Sequence, residues 1–134
     1  MAQVTGELTR TGHGVKWDMA SMVCLDIDGD GITDRAVLGY RDGQILVAVR
    51  RGPLKHRVAL QTLGFGIDPN VQEAICALPA KLTEDELVCT TEAGPLPGCK
   101  PRRGAKALTL NDNRCDPIHL YWSHKHGALA WWRE

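Results

Sequence analysis

Short apolar runs separated by turn residues fill the first half of the chain. "SMVCLDI", "DRAVLGY" and "QILVAVR" each have the length of a strand and contain β-branched residues, and the Asp42-Gly43 pair before the third is a hairpin signal. In "QILVAVR", Ile45, Val47 and Val49 share one face and Leu46 and Ala48 the other. A strand that is apolar on both faces is expected at the centre of its sheet. "RGP" then turns the chain into "HRVALQTLG", so the pattern predicts a meander of four short antiparallel strands from Ser21 to Leu63.

Further on the pattern changes. "DPNVQEAICALP" opens with an acidic residue and Pro69 and stops before Pro79, which predicts one short helix near 70–78. Prolines and glycines between Thr90 and Gly104 mark a long surface loop, and Thr91 to Gly98 should add little to the core. Strand patterns return in "AKALTLND", "PIHLYW" and "ALAWW", the last two closing a hairpin with Gly127 in its turn. Ile118, Leu120 and Trp122 alternate there with His119 and Tyr121. The expected fold class is mainly β, a small single domain of antiparallel strands. It divides into a meander over 20–63, a helix and loop region over 64–104 and C-terminal strands over 105–134.

The chain has 134 residues, enough for about one domain. Sixteen Lys and Arg balance sixteen Asp and Glu, so there is no overall field to attract nucleic acid, and no nucleic-acid partner is expected. No apolar run approaches the ~20 residues of a membrane span. The opening "MAQVTGELTRTGHG" lacks the basic start and apolar core of a secretory signal. The five cysteines, Cys24, Cys76, Cys89, Cys99 and Cys115, point to an oxidising compartment, so the reading is a mature periplasmic or secreted form. Cys76 with Cys89 and Cys99 with Cys115 would close loops of about 15 residues, worth roughly 3 kcal/mol each, although other pairings are open. Cys24, in an apolar strand, is expected to be a free, buried thiol.

One stretch carries most of the chemistry. In "DIDGDGITD", Asp26, Asp28, Asp30 and Asp34 occupy positions 1, 3, 5 and 9 of the calcium-loop register, with Gly31 at position 6 where the chain must turn. Ca²⁺ takes about 6–8 oxygens, so its ligands must converge from alternate residues of a curled backbone. The carbonyl of Ile32 at position 7 would add an oxygen, leaving its side chain free to face the core. Position 12, a bidentate Glu in helical calcium loops, is Val37 here, and the flanks are strand-like. A strand-loop-strand site follows.

The stretch "DIDGDGITDRAVLGYRDGQILVAVRRG" resembles the FG-GAP/VCBS repeat family, the calcium-binding blade unit of integrin-type β-propellers and many bacterial surface proteins. The family pattern is D-x-D-G-D-G-x-x-D followed by strand, turn and strand, and each of its acidic positions is matched. The resemblance implies side-chain ligands at Asp26, Asp28, Asp30 and Asp34 and a main-chain ligand at Ile32. Family members hold several blades, whereas this chain holds one repeat, and one repeat cannot close a propeller. The second half, including "CDPIHLYWSHKHGALAWWRE", resembles small single-domain envelope proteins of Gram-negative bacteria.

Other constellations are weaker. His119, His124 and His126 lie close together but match no zinc spacing. Trp122, Trp131 and Trp132, with Tyr121, form either core or a contact surface for a partner. Adjacent Trp131 and Trp132 must point to opposite faces of a strand, so at least one is expected to face away from the main core. Ser123 beside His124 is not a triad, and no phosphate loop or convincing nucleophile is present, so the expectation is not an enzyme. "RRGPLKHR" and "KPRRGAK" are local basic patches. The expected function is a non-enzymatic Ca²⁺-binding β domain of the bacterial envelope acting in protein-protein interaction. Its partner would be another protein, including a toxin or wall-degrading enzyme held by an inhibitor or immunity protein. The alternative is a calcium-dependent carbohydrate-binding domain.

Overall fold

A computed structural model describes residues 14–52 and 60–134. The strands are β1 (Lys16–Leu25), β2 (Asp34–Arg41), β3 (Gln44–Arg50), β4 (Gln61–Ile67), β5 (Ala74–Ile75), β6 (Lys81–Glu86), β7 (Thr90–Thr91), β8 (Gly94–Pro95), β9 (Lys106–Asn111), β10 (Ile118–Ser123) and β11 (Ala128–Trp132). The molecule is mainly β, and no helix occurs among the described residues. The reading of the chain start and the first residues of the expected fourth strand, from His56, lie outside the described residues.

Two sheets share one core. The first has the order β1-β2-β3-β4-β5 and the second β11-β10-β9-β6, while β7 and β8 pair by themselves. The expected meander is present as antiparallel β1 to β4, with β3 in the middle. Alternation along β3 sends Ile45, Val47 and Val49 into the shared core, where they meet Leu108, Leu110, Ile118, Leu120 and Trp122 of the second sheet. Ala48 faces the other way and joins Val37 in a small cluster under Trp17, Met19, Met22 and Leu60. Burying a large aliphatic side chain is worth roughly 1.5–3 kcal/mol, so this double-faced strand is the main anchor of the first sheet.

β1 is longer than the sequence pattern indicates, because it is interrupted. Its register against β2 shifts between Asp18 and Val23. The Ser21 hydroxyl bridges the irregularity, donating to the Asp18 carbonyl at 2.6 Å and accepting from the Leu38 amide at 2.9 Å. Beyond it Val23 and Leu25 turn to the core. Cys24 therefore points outward. It is free, as expected, but exposed rather than buried.

The helix expected near 70–78 is replaced by a turn and the short strand β5. The Asp68 carboxylate does cap a turn, accepting the Asn70 amide at 2.9 Å, but a second turn closes with the Ala74 amide on the Val71 carbonyl at 3.2 Å, and β5 then pairs in parallel with β4. Nonlocal ties override the local helix signals. The amides of Cys76 and Ala77 donate to Asp112 Oδ2, and Cys76 is bonded to Cys115. The other disulfide joins Cys89 to Cys99. Both pairings differ from the two expected from short loops, since strand β9 brings Cys115 to β5 while the β7–β8 turn folds Cys99 back onto Cys89. Two disulfides fit an oxidising, extracellular or periplasmic compartment. Among the described residues no helix is long and apolar enough to cross a membrane.

Candidate metal centre

The acidic stretch is the loop between β1 and β2. Leu25 pairs with Asp34, so the two strands clamp the loop at its base. Asp26, Asp28, Asp30 and Asp34 each bring a carboxylate oxygen to within 4.8 Å of the others. No other group of three or more histidines, cysteines or carboxylates so placed occurs among the described residues.

Backbone amides shape the cup. Asp26 Oδ1 accepts from the amides of Gly29 at 2.9 Å and Asp30 at 3.2 Å, and its Oδ2 accepts from Gly31 at 2.9 Å. Asp34 is fully buried and held from both sides, by the Ile27 amide at 2.9 Å and the Gly52 amide at 2.7 Å. Asp30, the exposed member, accepts from the Ile32 amide at 2.9 Å. The Ile32 side chain is 40% exposed, so it does not face the core as expected. Gly29 is required twice over. Its φ is +75°, and a Cβ there would stand 2.7 Å from the Cβ of Arg102.

This crowding shifts the acids. Burial, then the Asp34 charge, then Asp30, push the Asp28 carboxyl up to about 6, while the Arg51 hydrogen bond opposes the shift. Burial also raises Asp34, against the lowering effect of the Gly52 and Ile27 amides. Carboxylates forced together out of water are unfavourable as anions, and a bound cation removes that penalty. Oxygen-only donors on a curled backbone suit a hard cation rather than a soft one.

A basic collar surrounds the cup. Arg51 Nη1 lies 3.2 Å from Asp28 Oδ2, and the guanidinium carbon stands 4.0 Å over the Trp122 ring. Burial followed by the charges of Arg102, Lys100 and Arg51 holds the His124 ring below its usual value, against a smaller opposing effect of the Asp28 backbone. The Lys106 amide donates to the Asp26 carbonyl at 2.9 Å. The sequence reading missed Arg51, although the meander register carries a signal. Arg35 pairs with Arg50, so the residues following β3 return alongside Asp34.

The remaining candidates are dispersed. Trp122 is buried and Trp131 packs on the core, edge-on to Phe65 with ring centroids 5.7 Å apart. Trp132 lies on the opposite face, stacked with His119. The three tryptophans therefore do not make one platform. His126 Nδ1 is 3.0 Å from the Ser123 hydroxyl, but that serine is 1% exposed and lies beneath Gly98, with no open approach for a substrate. The three histidines thus stand in three different environments. Comparison with protein-family models, with curated proteins and with solved structures finds no match in any of the three.

Proposed function

We propose that the chain is a calcium-binding β domain of the bacterial envelope, periplasmic or secreted, that works by binding another protein. The observation that carries the metal reading is the convergence of four aspartate carboxylates at the tip of a clamped hairpin. The likeness of Asp26 to Gly52 to an FG-GAP/VCBS repeat supports calcium as the ion, with Asp26, Asp28, Asp30 and Asp34 as side-chain ligands and the Ile32 carbonyl as a further one. Calcium is here a staple that neutralises the loop and fixes β1 against β2. The partner meets surfaces which that staple holds rigid, and an inhibitor or immunity protein against a toxin or wall-degrading enzyme is the form of the reading that best suits a small domain.

The test is a calorimetric melt of chelator-treated protein with and without added Ca²⁺. Ligand excess of 100 times Kd stabilises by about 2.7 kcal/mol, so a clear rise in Tm is expected. Asp30→Asn, which alters the exposed ligand without touching the core, should abolish most of that rise. Superimposable melts in calcium and in chelator would sink the metal reading.

A further inference from the structure

The outer face of the second sheet is divided between a covered part and an open part. Tyr121 and Ser123 are buried beneath the disulfide-closed segment, with the Tyr121 hydroxyl donating to the Pro97 carbonyl at 2.9 Å and the His124 amide to the Gly98 carbonyl at 2.8 Å. In the neighbouring row, set by the cross-strand register, Thr109 is buried while His119 and Trp132 are partly exposed and form the open part. There the imidazole and indole stack at 4.3 Å with 22° between their planes.

A pocket of about 160 Å³ opens on this pair, bounded by Asp85, Glu86 and Glu134. It adjoins a second hollow of about 500 Å³, because Val88, Trp132 and Glu134 line both, and Glu92 adds a further carboxylate to the second. Trp132 is thus the ridge of one continuous acidic cleft. Its cations are already engaged. Arg133 donates to the carbonyls of Asp116, Gln72 and Ala74 at 2.8–3.0 Å, and Lys106 is paired with Glu86 at 2.8 Å. Among the described residues, Asp85, Glu92 and Glu134 have no cationic partner. Asp85 is held in place, since its Oδ2 accepts the Thr109 hydroxyl and its Oδ1 the Glu86 amide, both at 2.8 Å.

We propose that this cleft is a docking site for a lysine or arginine side chain presented by a protein partner. An indole face attracts a cation, carboxylates add charge-assisted hydrogen bonds, and tryptophan is enriched among interface anchors. The excess of carboxylates selects a cation over a neutral sugar. The hollow beyond Trp132 leaves room for residues flanking the inserted side chain. The proposal rests on the reading of the domain as a protein binder and is independent of calcium.

The test follows the Trp132 indole N–H by NMR in the calcium-equilibrated full chain, titrated with acetyl-Gly-Arg-Gly-amide, acetyl-Gly-Lys-Gly-amide and acetyl-Gly-Gln-Gly-amide. A saturable shift with the two cationic peptides and none with the glutamine peptide is expected. The Asp85→Asn and Glu134→Gln variants should each weaken it by about tenfold, the loss of one charge-assisted contact. Equal shifts with the glutamine peptide, or no saturable shift with any, would overturn the site. So would a shift with cellotriose alone, which would make Trp132 a sugar platform. A calcium-dependent melt accompanied by no peptide response overturns this site and leaves the metal reading intact. Undiminished capture of an envelope protein by the Asp85→Asn/Glu134→Gln double variant also overturns it, while the domain remains a protein binder.

Discussion

The two sheets are held together by different means. In the first, β1 to β4 pair in chain order, and both disulfides lie outside them. Its charged element is a cup of carboxylates from nine consecutive residues, Asp26 to Asp34. The second sheet pairs β6 with β9 across a long segment that the Cys89–Cys99 bond closes, while Cys76–Cys115 ties the end of β5 in the first sheet to the connection between β9 and β10. Its buried acid, Asp112, gathers no other carboxylates. Four backbone amides, of Cys76, Ala77, Arg114 and Cys115, donate to it instead. Pairing in chain order is inexpensive in loop entropy, so β1 to β4 need only a local staple, whereas the long β6–β9 connection and the seam at β5 are held by bonds that exist only under oxidising conditions.

The largest expected effect tests that division. Replacing Cys76 and Cys115 by alanine removes a closure across 39 positions and should cost about 4 kcal/mol in the chain-entropy model, against about 3 kcal/mol for Cys89 and Cys99, which span 10. Urea melts would measure both. Calcium affinity, read by calorimetry on each folded variant, should stay within a factor of about two, since neither bond touches the acidic loop. A parallel loss of calcium affinity would show that the two halves are not separately stapled.

A smaller effect is expected in the other half. Gly29→Ala places a Cβ against Arg102 in a left-handed backbone conformation, which should cost about 1–3 kcal/mol. Gly31→Ala, with a similar φ of +83° but open space around its Cβ, should cost less. Equal losses would mean that the contact between the loop and Arg102 carries no weight.

The same contrast explains what could be read from the sequence. The acidic loop was legible because all its side chains come from consecutive residues, so spacing alone encodes their convergence. The double-faced β3 was legible for a similar reason, as alternation is local. Residues 70–78 misled because Asp68 and Pro69 send true helix-start signals, while the carboxylate and cysteine that overrule them lie beyond residue 110. Cysteine pairing failed on the same ground, since loop-length reasoning favours neighbours and the fold brings Cys76 to Cys115. Cys24 was misplaced because an irregularity upstream in β1 sets which residues face the core, and an apolar run conceals that shift. Trp131 and Trp132 separate by simple alternation, but only the described packing distinguishes which face is covered.

The smallest expected effect contrasts the two buried acids through pH. Asp28 titrates near 6 in the fold against an ordinary value of 3.8, so between those values the metal-free folded chain keeps a proton that the unfolded chain has lost. Its contribution to stability must therefore fall as pH rises from about 4 to about 6. Asp112 has the opposite sign. Burial works to raise it, but the amides of Arg114, Cys115, Cys76 and Ala77 prevail and hold it below its usual range, so its contribution is present above 3.8 and is lost as pH falls further. His124, kept low by burial and by the neighbouring cations, adds a contribution that rises with pH up to 6.5, so the informative quantity is the difference between variants. In urea melts of chelator-treated protein between pH 4 and 6.5, Asp28→Asn should gain on the parent chain as pH rises, whereas Asp112→Asn should stay parallel to it. With calcium present the Asp28 slope should reverse, because a cation that holds the carboxylates ionised is displaced by protons at low pH. A slope unchanged by both Asp28→Asn and calcium would remove the distinction between a charge-crowded loop in one half and an amide-capped acid in the other.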